Sequence, residues 1–360
     1  MNNLSTLFPV TQQHTYLNTA SCGLFSKPLV DWRTQHDQKL MEGGSLFRDL
    51  HKHHIREIRE GIARFFHTLP SQVALVPNFS FGMNVLLDGL PKGKKILLLK
   101  GDYPSVNWPI ENRDFDVRYA DIDVQLEDNI AAAVAKHRPD VLALSIVQYI
   151  SGVKVDLNFL KELKSKYPDL LIIGDGTQFL GTTQFHFEES AFDIIGASAY
   201  KWLLSGYGCG LFLMKEALQG RLFPETIGYN SADADFSKRN AIEFVGHWEP
   251  GHQDTLNYGS MGESIRFLDS LGMDTVEDYL MGLNAKAKER FMEMGLLTDM
   301  ASSREHLSTI FNLKGDMVLF EQLKSQNIIA SLRGEGIRVS FHMYNTEDDL
   351  NKLVEVLKNR

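Results

Sequence analysis

Two side chains of opposite charge stand at the ends of two short apolar runs. The first run, LLIIGDGTQFLG from Leu170, leads into Asp175 and Gly176. The second, FDIIGASAYKW from Phe192, leads into Ser198 and Lys201. Runs this short, rich in Ile and bounded by Gly, read as buried parallel strands. In an open α/β sheet, ligands sit outside the carboxyl ends of the strands. An acid and an amine pinned at two such ends can face one ligand. Pyridoxal 5'-phosphate (PLP) needs that pair. A lysine holds its aldehyde as a Schiff base, and an acid keeps its ring nitrogen protonated so that the ring acts as an electron sink. A structural salt bridge, or two unrelated loop charges, would use the same residue types.

Other residues have types suited to the same site. After the apolar run at 73–76 comes PNFSFGMN, and after Ser80 the residues Met83, Leu86, Leu87 and Leu90 follow helical spacing. This predicts a strand followed by a helix capped by Ser80. The first turn of such a helix binds phosphate through its free N–H groups and dipole, here at Phe81 and Gly82, although a plain N-cap has the same pattern. Near the end of the chain, IRVSFHMYNT alternates so that Arg338, Ser340 and His342 share one strand face. A planar guanidinium at Arg338 can fork onto a carboxylate. His51, His53 and His54 lie on one predicted helix over 47–69. They have no acidic or Cys partner at ligand spacing, so an exposed or site-lip cluster is expected rather than a metal centre.

The elements that position these residues alternate. Strands are expected at 73–76, 96–99, 117–120, 141–147 and 170–173, with helices at 129–137 and 157–166 between them. That is a mostly parallel sheet covered on both faces. The GYGCG run at 206–210 precedes a strand, not a helix, so it is a poor dinucleotide fingerprint. From about Thr275 a smaller α/β unit is expected: a helix to Met294, strand 309–313, helix 316–327, strand 330–342, and a last helix behind a capping box at Thr346.

Composition bounds the function. A chain of 360 residues fits one large domain plus a smaller one. The net charge of −9 and the absence of a basic stripe argue against nucleic acid and anionic membranes. No apolar run approaches the ~20 residues of a membrane span. The N-terminus lacks the pattern of a secretory signal. Two cysteines, Cys22 and Cys209, make no disulfide framework, which suits the cytoplasm. Cys22 is expected to be a small buried residue.

Asp175-Gly176-Thr177-Gln178 and Ser198-Ala199-Tyr200-Lys201 resemble the two signatures of the class V aminotransferase family of PLP enzymes. YLNTASCG at 16–23 is similar to the family's opening phrase, and the segment at 337–346 strongly resembles its C-terminal one. Relatives in that family include cysteine desulfurases, selenocysteine lyases and isopenicillin N epimerase. The resemblance implies the aspartate aminotransferase-like fold type I: a large PLP-binding domain at 20–258, and a small α/β domain formed by 1–19 with 259–360. It also implies a homodimer with cofactor sites at the interface.

By the same resemblance, Lys201 holds PLP and Asp175 meets the ring nitrogen. Tyr103 stacks on the ring where desulfurases have a His. Gln178 and Gln148 are candidates for the ring oxygen. Ser80, Phe81, Ser198 and Tyr200 bind the phosphate, and Arg338 holds the substrate carboxylate. His252 replaces the threonine of the family's E-x-G-T phrase as a contact to the neighbouring subunit's cofactor, with Thr255 as a substitute. Neither cysteine falls between Gly315 and Arg338, where the desulfurases' catalytic cysteine loop belongs. The expected function is a PLP-dependent aminotransferase for an amino acid or related amine. A desulfurase-like, lyase or epimerase reaction is the alternative within enzymes. A nucleotide-binding α/β module without PLP is the alternative of another class.

Overall fold

The computed structural model describes residues 4–305 and 308–359, and of residues 51 and 52 only the backbone. A short strand, β1 (Thr15–Tyr16), is followed by two long helices, α1 (Lys27–Gly43) and α2 (Ser45–Phe65). Strands and helices then alternate: β2 (Val73–Val76), α3 (Phe79–Asp88), β3 (Lys95–Leu99), α4 (Pro104–Glu111), β4 (Asp116–Ala120), α5 (Leu126–His137), β5 (Val141–Ser145), α6 (Leu157–Lys166) and β6 (Leu171–Asp175). Two further strands, β7 (Ile194–Ser198) and β8 (Gly210–Met214), complete a seven-stranded sheet of order β2-β8-β7-β6-β5-β3-β4. Only β8 runs antiparallel to its neighbours.

The sheet is buried on both faces, which is why its strands read as continuous apolar runs. Alternate residues feed two separate clusters. Leu97, Leu142, Ile172, Ile195 and Leu211 pack on one side, and Ile96, Val141, Ile173, Ile194 and Phe212 on the other. The carboxyl ends of β3, β5, β6 and β7 lie along one edge, with Ser145 beside Asp175 and Asp175 beside Gly196.

The rest of the chain holds α7 (Thr255–Leu271), α8 (Met273–Glu293), α9 (Asp299–Ser303), β9 (Ile310–Lys314), α10 (Met317–Ser325), β10 (Ile328–Ile329), β11 (Ser331–Arg333), β12 (Gly336–Ser340) and α11 (Glu347–Lys358). The order β11-β12-β9 makes an antiparallel sheet, and β10 pairs in parallel with β1. The expected single strand at 330–342 is instead a hairpin. Gly334, with φ of +58°, turns the chain where an L side chain would be strained. Helix α11 carries the expected capping box between Thr346 and Asp349. Helix α3 starts one residue before Ser80, and its cap is Asn78, whose side chain accepts from the Phe81 N–H.

The N-terminal segment threads between the two halves. Leu17 N–H donates to Ile329 at 2.9 Å, Ser340 N–H donates to Leu17 at 2.9 Å, and Gly23 N–H donates to the Tyr200 carbonyl at 2.9 Å. Among the described residues no helix is long and apolar enough to cross a membrane.

Candidate active site

Asp175 is the last residue of β6 and is buried. Its Oδ1 accepts the Thr177 N–H at 2.8 Å, and the Thr177 hydroxyl accepts the Ser198 N–H at 3.1 Å. The ends of β6 and β7 are thus locked together. The Thr177 hydroxyl also bonds this carboxylate, which forms no ion pair with a described residue. Burial raises the Asp175 pKa to about 6, against the pull of the Thr177 bonds and the Lys201 charge.

Lys201 is also buried, yet its amine makes no hydrogen bond or ion pair with a described residue. Nζ stands 5.8 Å from the centre of the Tyr103 ring and 5.5 Å from that of Tyr200. Burial lowers its pKa to about 8. The Asp175 charge opposes that shift, while Arg338 and Arg333 add to it. The acid and the amine act on each other without touching.

Tyr103 sits at the N-cap position of α4, edge-on to Tyr149 with ring centres 5.1 Å apart. Asp102, not singled out in the sequence, fixes this turn. Its Oδ1 accepts the Tyr103 N–H and its Oδ2 the Ser145 N–H, both at 2.7 Å. The signal was available: Asp102 follows the β3 run as Asp175 ends the β6 run.

At the start of α3, Ser198 Oγ accepts the Phe79 N–H at 2.9 Å, and Ser80 Oγ donates to Ser105 Oγ at 2.8 Å. The Phe81 N–H is already bonded to Asn78 Oδ1 at 2.9 Å, and the Gly82 N–H to the Asn78 carbonyl at 3.3 Å. The expected donors at Phe81 and Gly82 are therefore taken, because the cap lies two residues earlier than Ser80. The Ser80 N–H is the donor left without a protein acceptor. Tyr200 is half-buried and stacks on Tyr207 at 4.5 Å, and its hydroxyl bonds no described residue.

Gln178 accepts the Trp202 Nε1–H at 2.7 Å and donates to the Ala20 carbonyl at 3.0 Å, which leaves one amide hydrogen. Gln148 Oε1 accepts from Ile150 N–H at 2.8 Å and Ser151 N–H at 2.6 Å, so only its amide nitrogen is open. His252 is exposed, 6.5 Å from the Tyr229 ring, and makes no contact with the Lys201 group. Thr255 is bonded to His36 at 3.0 Å.

Arg338, on β12, is only 3% exposed. It donates to the Tyr149 carbonyl at 2.6 Å and to Ser21 Oγ at 2.7 Å, while its Nε is buried without a partner. No carboxylate of a described residue pairs with it. Burial, then Arg333, lowers its pKa to about 10. The expected shared face holds: Ser340 Oγ accepts the Ala20 N–H at 3.0 Å, and His342 Nε2 meets the Trp202 carbonyl at 3.0 Å.

Cys22 is half-buried beside the Tyr207 hydroxyl, not fully buried as expected. Cys209 is buried, which pushes its thiol up to about 12. His54 lies 3.5 Å from Glu57, and among the described residues no three His, Cys, Asp or Glu side chains gather for a metal. The side chain of His51 lies outside the described residues.

A family model described as Aminotransferase class-V matches residues 38–353. The chain belongs to the class V aminotransferase family. It is 21% identical to an uncharacterized aminotransferase, YcbU, of Bacillus subtilis, with 97% of this chain and 95% of that protein covered. It is 25% identical to an isopenicillin N epimerase of Amycolatopsis lactamdurans, covering 96% and 94%. Among solved structures, the apo cysteine desulfurase of Thermococcus onnurineus NA1 superposes with a TM-score of 0.86 at 16% identity, covering 99% of this chain and 97% of that one. This class V chain is a PLP-dependent enzyme of fold type I, and its cofactor is PLP.

The groups present fit that cofactor. A buried acid and a buried amine, neither in an ion pair with a described residue, stand at neighbouring strand ends. A helix start offers a free N–H beside Ser198, and an aromatic ring flanks the amine.

Proposed function

We propose that this class V enzyme is an aminotransferase acting on an amino acid or related amine, with Lys201 carrying the cofactor. The observation behind this reading is the pair at the ends of β6 and β7. The Asp175 carboxylate and the Lys201 amine are buried, form no ion pair with a described residue, and lie in each other's field. When bound, PLP draws electrons from the substrate α-carbon and makes its proton removable. Lys201 would hold the cofactor and would take that proton and return it, a task suited to a buried amine whose pKa is about 8. Asp175 holds the proton on the ring nitrogen. Tyr103 supplies a flat face. Ser80, Ser198 and Tyr200 supply donors for the phosphate, and the open hydrogens of Gln178 and Gln148 suit the ring oxygen. Arg338 binds the substrate carboxylate, which would give its buried charge a counter-ion.

The domain division at 20–258 and 1–19 with 259–360 is part of this reading. The separate apolar cluster joining Leu17 to Leu283, Phe311, Val339 and Leu353 supports it. So is a cytoplasmic homodimer. Phe236 is 86% exposed and lies against the exposed Tyr229, which also meets His252, and a partner would cover them. In that dimer His252 reaches the partner's cofactor.

The test is direct. Purified protein loaded with PLP should be yellow, borohydride should fix the cofactor to Lys201, and Lys201→Ala should trap none. A panel of amino acids with a keto acid should then yield a new amino acid. Racemised substrate without a keto acid would favour an epimerase, which would use the same residues. Sulfide from cysteine would favour a desulfurase, against which the lack of a cysteine between residues 315 and 338 speaks.

A further inference from the structure

Arg338 has a neighbour of its own charge. The hairpin β11–β12 pairs Ser331 with Arg338, Leu332 with Ile337 and Arg333 with Gly336. Residues opposite one another share a face, as do alternate residues along a strand. Ser331, Arg333 and Arg338 therefore lie on one face, and Gly336 adds no side chain to it.

That face is the one turned to the site. Arg338 donates to Ser21 Oγ at 2.7 Å, and Ser331 Oγ lies 3.0 Å from the same hydroxyl. The loop carrying Tyr149 and Ile150 runs along the hairpin. Arg338 bonds the Tyr149 carbonyl, and Asn312 Nδ2 bridges the carbonyls of Ile150 and Arg333 at 3.2 and 2.8 Å. Arg333 is the diagonal neighbour of Arg338, ~7–8 Å away and two pairs nearer the turn.

Arg333 is exposed, and its guanidinium makes no ion pair or hydrogen bond with a described residue, although Glu335 stands in the same turn. Its charge nonetheless lowers the pKa of both Arg338 and Lys201, so it bears on the pocket. Two arginines, neither in an ion pair with a described residue, share this face in a chain whose net charge is −9. Like charges held together at a site mouth are unfavourable until an anion joins them.

We propose that Arg333 is the second anchor of a dicarboxylic substrate, with Arg338 on the α-carboxylate and Arg333 on the side-chain carboxylate. The enzyme then takes an acidic amino acid, or the matching 2-oxo dicarboxylic acid. This rests on the role given to Arg338 above.

Succinate and butyrate, which differ by one carboxylate, test it on PLP-loaded protein by calorimetry. Succinate should bind about tenfold tighter than butyrate, and Arg333→Gln should remove that preference while weakening butyrate by no more than about twofold. In steady state, R333Q should raise KM for L-aspartate or L-glutamate about tenfold, with kcat and the KM for L-alanine held within about twofold. Equal binding of the two acids to the wild type, or an equal loss of both in R333Q, overturns the second anchor. Loss of borohydride trapping at Lys201 would instead overturn the aminotransferase reading, since acid binding can be measured without it.

Discussion

The carboxylate of Asp102 holds the backbone N–H of Ser145 at 2.7 Å, tying the end of β3 to the end of β5. The same side chain fixes the N–H of Tyr103, so one buried acid sets both a strand end and the ring that faces Lys201. Asp102→Ala leaves two buried donors unpaired and should cost about 2–4 kcal/mol in urea denaturation. Asp102→Asn keeps one acceptor and should fall between. Wild-type stability in the alanine variant would show that the strut does nothing.

The Lys201 amine should set the pH dependence of cofactor loading. Its folded pKa, about 8, lies below the ordinary 10.5, so the neutral, attacking form appears as pH rises through about 8. Asp175 favours the protonated amine, so Asp175→Asn should move the midpoint lower. Stopped-flow absorbance of apoprotein mixed with PLP measures both. A midpoint near that of a free lysine would contradict the buried, unpaired amine.

His342 should make the fold sensitive to acid. Burial lowers its pKa to about 4 from 6.5. Above pH 6.5 both folded and unfolded chains hold it neutral, and it has no effect. As pH falls from 6.5 towards 4 the unfolded chain binds the proton first, so stability drops by up to about 3 kcal/mol. His342→Asn should flatten that part of the stability curve, read from melts across the range. An unchanged slope would assign the acid sensitivity elsewhere.

Arg59 and Glu249 form a two-pronged ion pair, with both contacts at 2.7 Å, and Glu249 also accepts the Leu75 N–H at 2.8 Å. This pair fastens α2 and β2 to the segment that carries His252. Arg59→Ala strands a buried carboxylate and should cost about 3–5 kcal/mol. Arg59→Met combined with Glu249→Leu should recover part of that. Melting temperatures decide whether the double variant is the more stable.

What was legible in the sequence follows from burial. Strands covered on both faces leave apolar runs, and Asp175, Lys201 and Arg338 stand out against those runs because charges there need a reason. Helix α7 was not legible. Its Gly259 packs on the Trp32 ring, and a Cβ on Gly262 would sit 3.0 Å from Ile58. Close helix approach selects small residues, which break the apolar period and carry poor helix propensity. The cap of α3 was misplaced for a local reason: Asn78 and Ser80 are both good caps, two residues apart, and backbone geometry chose between them. Arg333 gave no signal in one dimension, since only the turn at Gly334 folds it back beside Arg338.

The threading of residues 15–23 between Ile329, Ser340 and the Tyr200 carbonyl has a consequence for biosynthesis. A chain emerging from the ribosome carries its lysine long before the last strands exist, and residues 15–18 lack their strand partners at Ile328, Ile329 and Ser340 until those strands arrive. The pocket is therefore completed last, by two segments far apart in sequence, and deleting residues 15–18 or β12 should disable cofactor retention rather than merely shorten the protein.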